Sequence, residues 1–257
     1  MSIVHSDQQF FSHDHVARPL QIAGVGEGMK VLRVLANAFM QQAPEHRVHV
    51  PPSVTSGGGI AALASSYASL ARLSRKLTSD EKSAGYQEQE LLALPTCFLV
   101  RSDLMVSGVE SDAVRQLLIG EVDNWELIGG PDCEVFPINY EKSSPVWPSV
   151  SGLFSRDEIA VESYKGRWAV TPQNAMELAM ARRGSISYVP VDQPIDPVLR
   201  VLEVDDMQPT DPNYPFSSKL NLVWREPLTD HSALAFLEFA RSKDAAILLR
   251  ECGAHPL

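Results

Sequence analysis

A short apolar segment that runs into a glycine loop and then into an amphipathic helix occurs twice near the start of the chain, and this unit admits few folds. The first copy comprises residues 20–23, the loop Gly24-Val25-Gly26-Glu27-Gly28, and a helix whose Met29, Leu32, Leu35, Ala36 and Phe39 recur at spacings of three and four until Pro44. In the second, residues 47–50 alternate polar and apolar like a half-buried strand, and Thr55-Ser56-Gly57-Gly58-Gly59 opens a helix rich in alanine and leucine. Two such units in succession predict an α/β fold with a mainly parallel sheet, whose ligands bind beyond the carboxyl ends of the strands.

The pattern continues along the chain. Residues 91–101 read as a long buried strand, 111–119 as a helix with Val114, Leu117 and Leu118 on one side, and 135–139 as a short strand. Ser143-Ser144-Pro145 looks like a helix start, with Ser144 as cap and Pro145 at the first position. Residues 172–183 pattern as a helix, 185–189 as a strand returning after Gly184, 220–224 as a strand and 231–241 as a terminal amphipathic helix.

Composition narrows the function. A formal charge of −10 over 257 residues excludes a general nucleic-acid binder, which needs a basic surface to displace counterions. It leaves small anions open, because short-range donors outweigh distant screened charges. Cys97, Cys133 and Cys252 are odd in number and lie in no CxxC pair, so three free thiols are expected rather than a zinc site or a disulfide framework. The apolar run 91–100 is too short for a bilayer and carries Pro95. The first residues lack the basic start and apolar centre of a signal peptide, so an exported protein would be represented here in trimmed form, and a cytoplasmic one is the other reading. His13-Asp14-His15 reads as part of a solvated arm rather than a metal site, and no cofactor is implied. With no nucleophile elbow, HExxH motif or Walker loop, the chain is not expected to be an enzyme. The four tryptophans lie in separate segments and are expected to pack rather than to form a stacking platform.

Three stretches are more specific: Ser56-Gly57-Gly58-Gly59-Ile60, the run Leu73-Ser74-Arg75-Lys76-Leu77-Thr78 with Glu81 behind it, and Gly120 through Asn124-Trp125 to Gly129-Gly130. In this order they resemble the phosphate-binding proteins of bacterial ABC importers, and the resemblance runs from about residue 20 to 253. It implies a two-lobed type II periplasmic-binding-protein fold, with mixed sheets flanked by helices and a cleft between the lobes. Mapped onto this chain, residues 1–94 with 190–257 make the first lobe and 95–189 the second, with crossings near 94–98 and 188–191. It also implies a monomer outside the cytoplasm that passes phosphate or a related oxyanion, or another small solute, to an ABC permease. A sensory or interaction module that keeps the fold, with a non-phosphate ligand or no tight ligand, is the alternative.

The ligand residues follow from oxyanion physics and the resemblance together. Helix N-termini offer unpaired N–H groups and about half a positive charge, so several aimed at one cleft hold an anion with few cations. The candidates are Gly26, Glu27 and Gly28; Ser56, Gly57 and Gly58; Ser74 and Arg75; and Ser143 and Ser144, with Arg75 as a cationic fork. Each loop taken alone is equally an ordinary way to pack helix on strand. Three positions depart from the family pattern: Val25 and Glu27 stand where serine or threonine is usual, and Tyr140 where an arginine is usual, so Glu27 is read as able to receive a cationic or hydroxyl-bearing group and Tyr140 is counted as a ligand residue that stacks or donates a hydrogen bond.

Overall fold

The computed structural model describes residues 18–141, 144, 146–154 and 166–257. In chain order the first elements are β1 (Leu20–Gly24), α1 (Met29–Gln42), β2 (Val48–His49), α2 (Ser56–Ala64), β3 (Leu70–Leu73), α3 (Ser79–Ser83) and β4 (Tyr86–Arg101). Next come β5 (Gly108–Val109), α4 (Ser111–Ile119), β6 (Phe136–Tyr140), β7 (Arg167–Ala169), α5 (Pro172–Ala181), β8 (Ser185–Pro190), β9 (Leu199–Val201) and β10 (Glu203–Val204). The chain closes with β11 (Ser217–Arg225), α6 (His231–Ala240), α7 (Lys243–Glu251) and β12 (His255–Pro256). None of the described helices is long and apolar enough to cross a membrane.

The main sheet runs β2-β1-β3-β11-β4-β8-β6-β7. At one end β2, β1 and β3 are mutually parallel, and at the other β8, β6 and β7 are. Between them the antiparallel pair β11/β4 forms a seam, antiparallel also to β3 and β8. Each parallel set sends its carboxyl ends toward loops, which is where such sheets hold ligands.

Strand β4 passes through both halves. Residues 91–100 of it are all buried, and its partners change at Pro95: β11 pairs up to Pro95, whereas β8 pairs from Thr96 onward. A proline lacks the ladder donor, so it fits where one partner ends and another begins. The return passage differs from expectation. After β8 the chain turns back, β9 pairs with Leu99–Arg101 of β4, and Leu199, Leu202, Val204, Tyr214 and Phe216 join the same core as Phe98, Trp125 and Tyr188. The chain crosses where Phe216 meets Ser217, with the Thr96 N–H donating to the Phe216 carbonyl at 2.8 Å. The buried side chains of 199–216, a stretch expected with the first lobe, therefore pack with the second core, while 188–190 finish β8 and the chain turns at 191–193. Proline-spaced irregular chain gave no periodicity from which to read this.

The first half has its own core, built by the amphipathic helix that the spacing predicted. Val31, Leu32, Leu35, Ala36 and Phe39 of α1 are buried, and Phe39 meets the Phe236 ring of α6 edge-on at 5.4 Å. Each such aliphatic or aromatic side chain contributes about 1.5–3 kcal/mol by leaving water. The helix expected over 231–241 is α6, and it is not the last: a further helix follows, where the Ser242 hydroxyl caps α7 by accepting from the Ala245 N–H. Gly24 lets the first sheet close tightly. Its φ is +142°, and a Cβ there would lie 1.9 Å from the Arg72 carbonyl oxygen of β3.

Candidate functional site

The carboxyl-end loops of the six parallel strands of the main sheet line one cleft of about 830 Å³. The loop after β1 contributes Gly26, Glu27 and Lys30; that after β2, Thr55, Ser56 and Gly57; that after β3, Ser74 and Arg75. From the second half, Ser144 and Val146 follow β6, Pro172 follows β7, and Pro190, Asp192 and Gln193 follow β8. No single sequence motif announces this convergence; the strand order produces it.

The structure thus brings together Gly26, Glu27, Ser56, Gly57, Ser74, Arg75 and Ser144. Gly28, Gly58 and Tyr140 do not line the cleft. Gly28 is the left-handed cap of α1 and faces Leu220, whose Cδ2 would sit 3.0 Å from a Cβ at that position. The Gly58 N–H is consumed by the Thr55 hydroxyl, which accepts from it at 3.0 Å. Ser56 and Gly57, at the first two positions of α2, have no preceding helical carbonyl to bind and keep their N–H groups open. Thr55→Ala should cost about 1 kcal/mol of stability through this cap, read as a lower urea midpoint.

Tyr140 is fully buried in the second core, edge-on to Tyr188 at 5.1 Å, so it neither stacks on nor donates to a ligand in this cleft. Both faces of β6 are covered, with Pro137, Ile138, Asn139 and Tyr140 all buried, which a lone aromatic at a strand end does not reveal. Ser143 lies outside the described residues, as does His13-Asp14-His15. The helix expected to start at Ser144-Pro145 is instead a pair of 3₁₀ turns, Trp147–Ser149 and Ser151–Leu153. The Ser144 N–H is spent on the Glu141 carbonyl at 2.8 Å, and its hydroxyl is what it offers the cleft. The tryptophans pack as expected where described: Trp125 is fully buried and Trp147 stacks on Phe154. The three cysteines are free.

Charge in the site is arranged in layers. Arg75 is held bidentately by Glu81, at 2.8 and 2.7 Å, and also donates to the Lys76 carbonyl. These bonds hold the Glu81 carboxyl down at about 2, chiefly through the Arg75 hydrogen bond. Two of the five guanidinium N–H donors remain. Beneath the loops lies Arg72, which the sequence reading missed because it sits inside an apolar strand. It is fully buried and donates to the carbonyls of Ile22, Val25 (2.5 Å) and Pro51 (2.9 Å). Burial pushes its guanidinium down to about 10, so it is charged at neutral pH, and it makes no ion pair among the described residues.

Glu27 has the opposite character. Its Oε1 accepts from the Ser218 hydroxyl at 2.5 Å, and its Oε2 is buried without a hydrogen-bond partner. Desolvation raises its carboxyl to about 7, with the Asp192 charge adding to the rise. Asp192 is itself pushed up, first by burial.

Six carboxyl-end loops around one cleft, on two parallel half-sheets joined at an antiparallel seam, define the two-lobed type II periplasmic-binding-protein fold. A model of the PBP superfamily domain matches residues 11–244, and the chain belongs to that superfamily. It is similar to the phosphate-binding protein PstS of Borreliella burgdorferi, 25% identical over 208 residues that cover 76% of this chain and 75% of that one. A protein from Clostridium perfringens described as a phosphate ABC transporter substrate-binding protein, solved with bound phosphate, superposes with a TM-score of 0.77 at 19% identity, covering 93% of this chain and 99% of that one. An ABC-type phosphate transport receptor from Vibrio cholerae gives 0.70 at 21%, covering 92% and 99%. At these identities the structural likeness establishes the fold.

Proposed function

We propose that the chain captures a small oxyanion in this cleft and presents it to the permease of an ABC importer, without catalysing a reaction. The observation that carries this reading is the convergence of the open N–H groups of Ser56 and Gly57, the hydroxyls of Ser56, Ser74 and Ser144, and the Arg75 fork on one cleft. Such donors suit a tetrahedral anion, because each meets an oxygen and the buried Arg72 charge lies under the loops that hold two of them. The relatives named for phosphate binding and transport point the same way.

In this reading residues 18–95 with 217–257 form one lobe and 96–216 the other, and the lobes close on the anion by bending where 95 meets 96 and 216 meets 217. A thermal-shift titration tests it: inorganic phosphate should raise the melting temperature in proportion to log concentration. Ser56→Ala should weaken phosphate by about tenfold, the loss of one hydrogen bond to a charged group. No shift with phosphate, sulfate or any phosphonate would overturn the proposal.

A further inference from the structure

A bare tetrahedral anion leaves part of the cleft unexplained. Glu27 lines the same cleft as Ser56 and Arg75, yet its buried Oε2 lacks a donor. Asp192, from the loop after β8, lies near enough for its charge to act on Glu27. Neither carboxylate is in an ion pair among the described residues. Lys30, the nearby cation, instead donates to the Asp192 backbone carbonyl at 3.4 Å and to the Gln193 side-chain oxygen at 3.3 Å. The Lys30 charge acts on Asp192 but no cation is bonded to either acid, so Glu27 above all disfavours a simple anion, and burying its carboxylate oxygen without a donor is costly.

Size points the same way. A cleft of about 830 Å³ exceeds what phosphate alone fills, and Val25, Met29 and Val146 give it apolar wall suited to methylene groups. A ligand that satisfies every feature carries an oxyanion at one end, a short carbon chain and a cation at the other.

We infer that the solute is a small phosphonate or phosphate monoester bearing a primary amine, whose ammonium group donates to Glu27 Oε2 beside Asp192 while its tetrahedral end takes the amides and hydroxyls of the proposed oxyanion site. A hydroxyl in place of the amine would meet Oε2 but leave the acidic charge uncompensated. The inference rests on the oxyanion reading above and specifies its substrate.

Isothermal titration calorimetry of the full chain with 2-aminoethylphosphonate, ethylphosphonate and inorganic phosphate tests it. The amine-bearing ligand should bind about 10- to 100-fold more tightly than ethylphosphonate, as expected for one charge-assisted contact in a desolvated site. In Glu27→Gln that ratio should collapse toward one. If 2-aminoethylphosphonate binds no better than ethylphosphonate or phosphate, or if the ratio survives in Glu27→Gln, the amine inference fails and the oxyanion reading stands. If none of the three binds, both fall. The comparison of ligands on the unaltered protein decides the matter even where the variant does not fold.

Discussion

Arg72→Met is expected to lower stability by about 2–5 kcal/mol and to weaken oxyanion binding with it. The guanidinium ties the middle of β1, the loop after it and the start of the loop before α2 through three backbone carbonyls. Bonds from a charged donor are worth about 1.5–3 kcal/mol each. Against them stands the cost of burying the charge, roughly 3 kcal/mol judged from a guanidinium pushed from 12.5 down to about 10. Methionine removes that cost and fills much of the volume but strands all three carbonyls, so the loss wins. A urea denaturation series measures it, and unchanged stability would mean that the loops hold their shape without the guanidinium.

Glu27→Gln should act in the opposite direction, and only in alkaline solution. The folded carboxyl is raised to about 7 from an ordinary 4.5, chiefly by burial, with the Ser218 hydroxyl bonded to it and the Asp192 charge acting on it. Because the folded value is raised, the stabilising contribution of the protonated form is complete below the unfolded value and is lost as pH rises through the folded one. The shift corresponds to about 3 kcal/mol. The ligand-free variant should therefore melt near the unaltered protein at about pH 5 and clearly above it at about pH 8. Equal melting temperatures at both would show that Glu27 ionises without penalty. Raised Asp192 adds a loss of the same sign, which Glu27→Gln leaves in place.

Much of the fold was legible because periodicity and glycine placement are local signals. Helix α1 and helix α4 appear where their apolar spacing put them, and the two strand–loop–helix units are real. Short strands were not legible: β3 reads Leu-Ala-Arg-Leu, and its arginine hides a fully buried segment. Seven of the eleven nominated ligand residues line the cleft: Gly26, Glu27, Ser56 and Gly57 were marked by glycines and helix starts, Ser74 and Arg75 by the family resemblance, and Ser144 by a helix start that is not there. Tyr140 lies away from the cleft because β6 is covered on both faces, and Lys30, Asp192 and Gln193 were missed because only the strand order brings their loops to the cleft. Phase along a strand and neighbourhood across a sheet are tertiary facts, and a single chain of letters carries them weakly.

The two passages between halves lie side by side, with the Thr96 N–H bonded to the Phe216 carbonyl. The stretch between them is therefore an insert whose ends meet, complete with its own core before the ribosome has made β11. β3, by contrast, waits for β11 as its second neighbour in the sheet. During vectorial synthesis the middle of this chain can mature first, and the earliest-made segment must stay unfinished until the last third emerges.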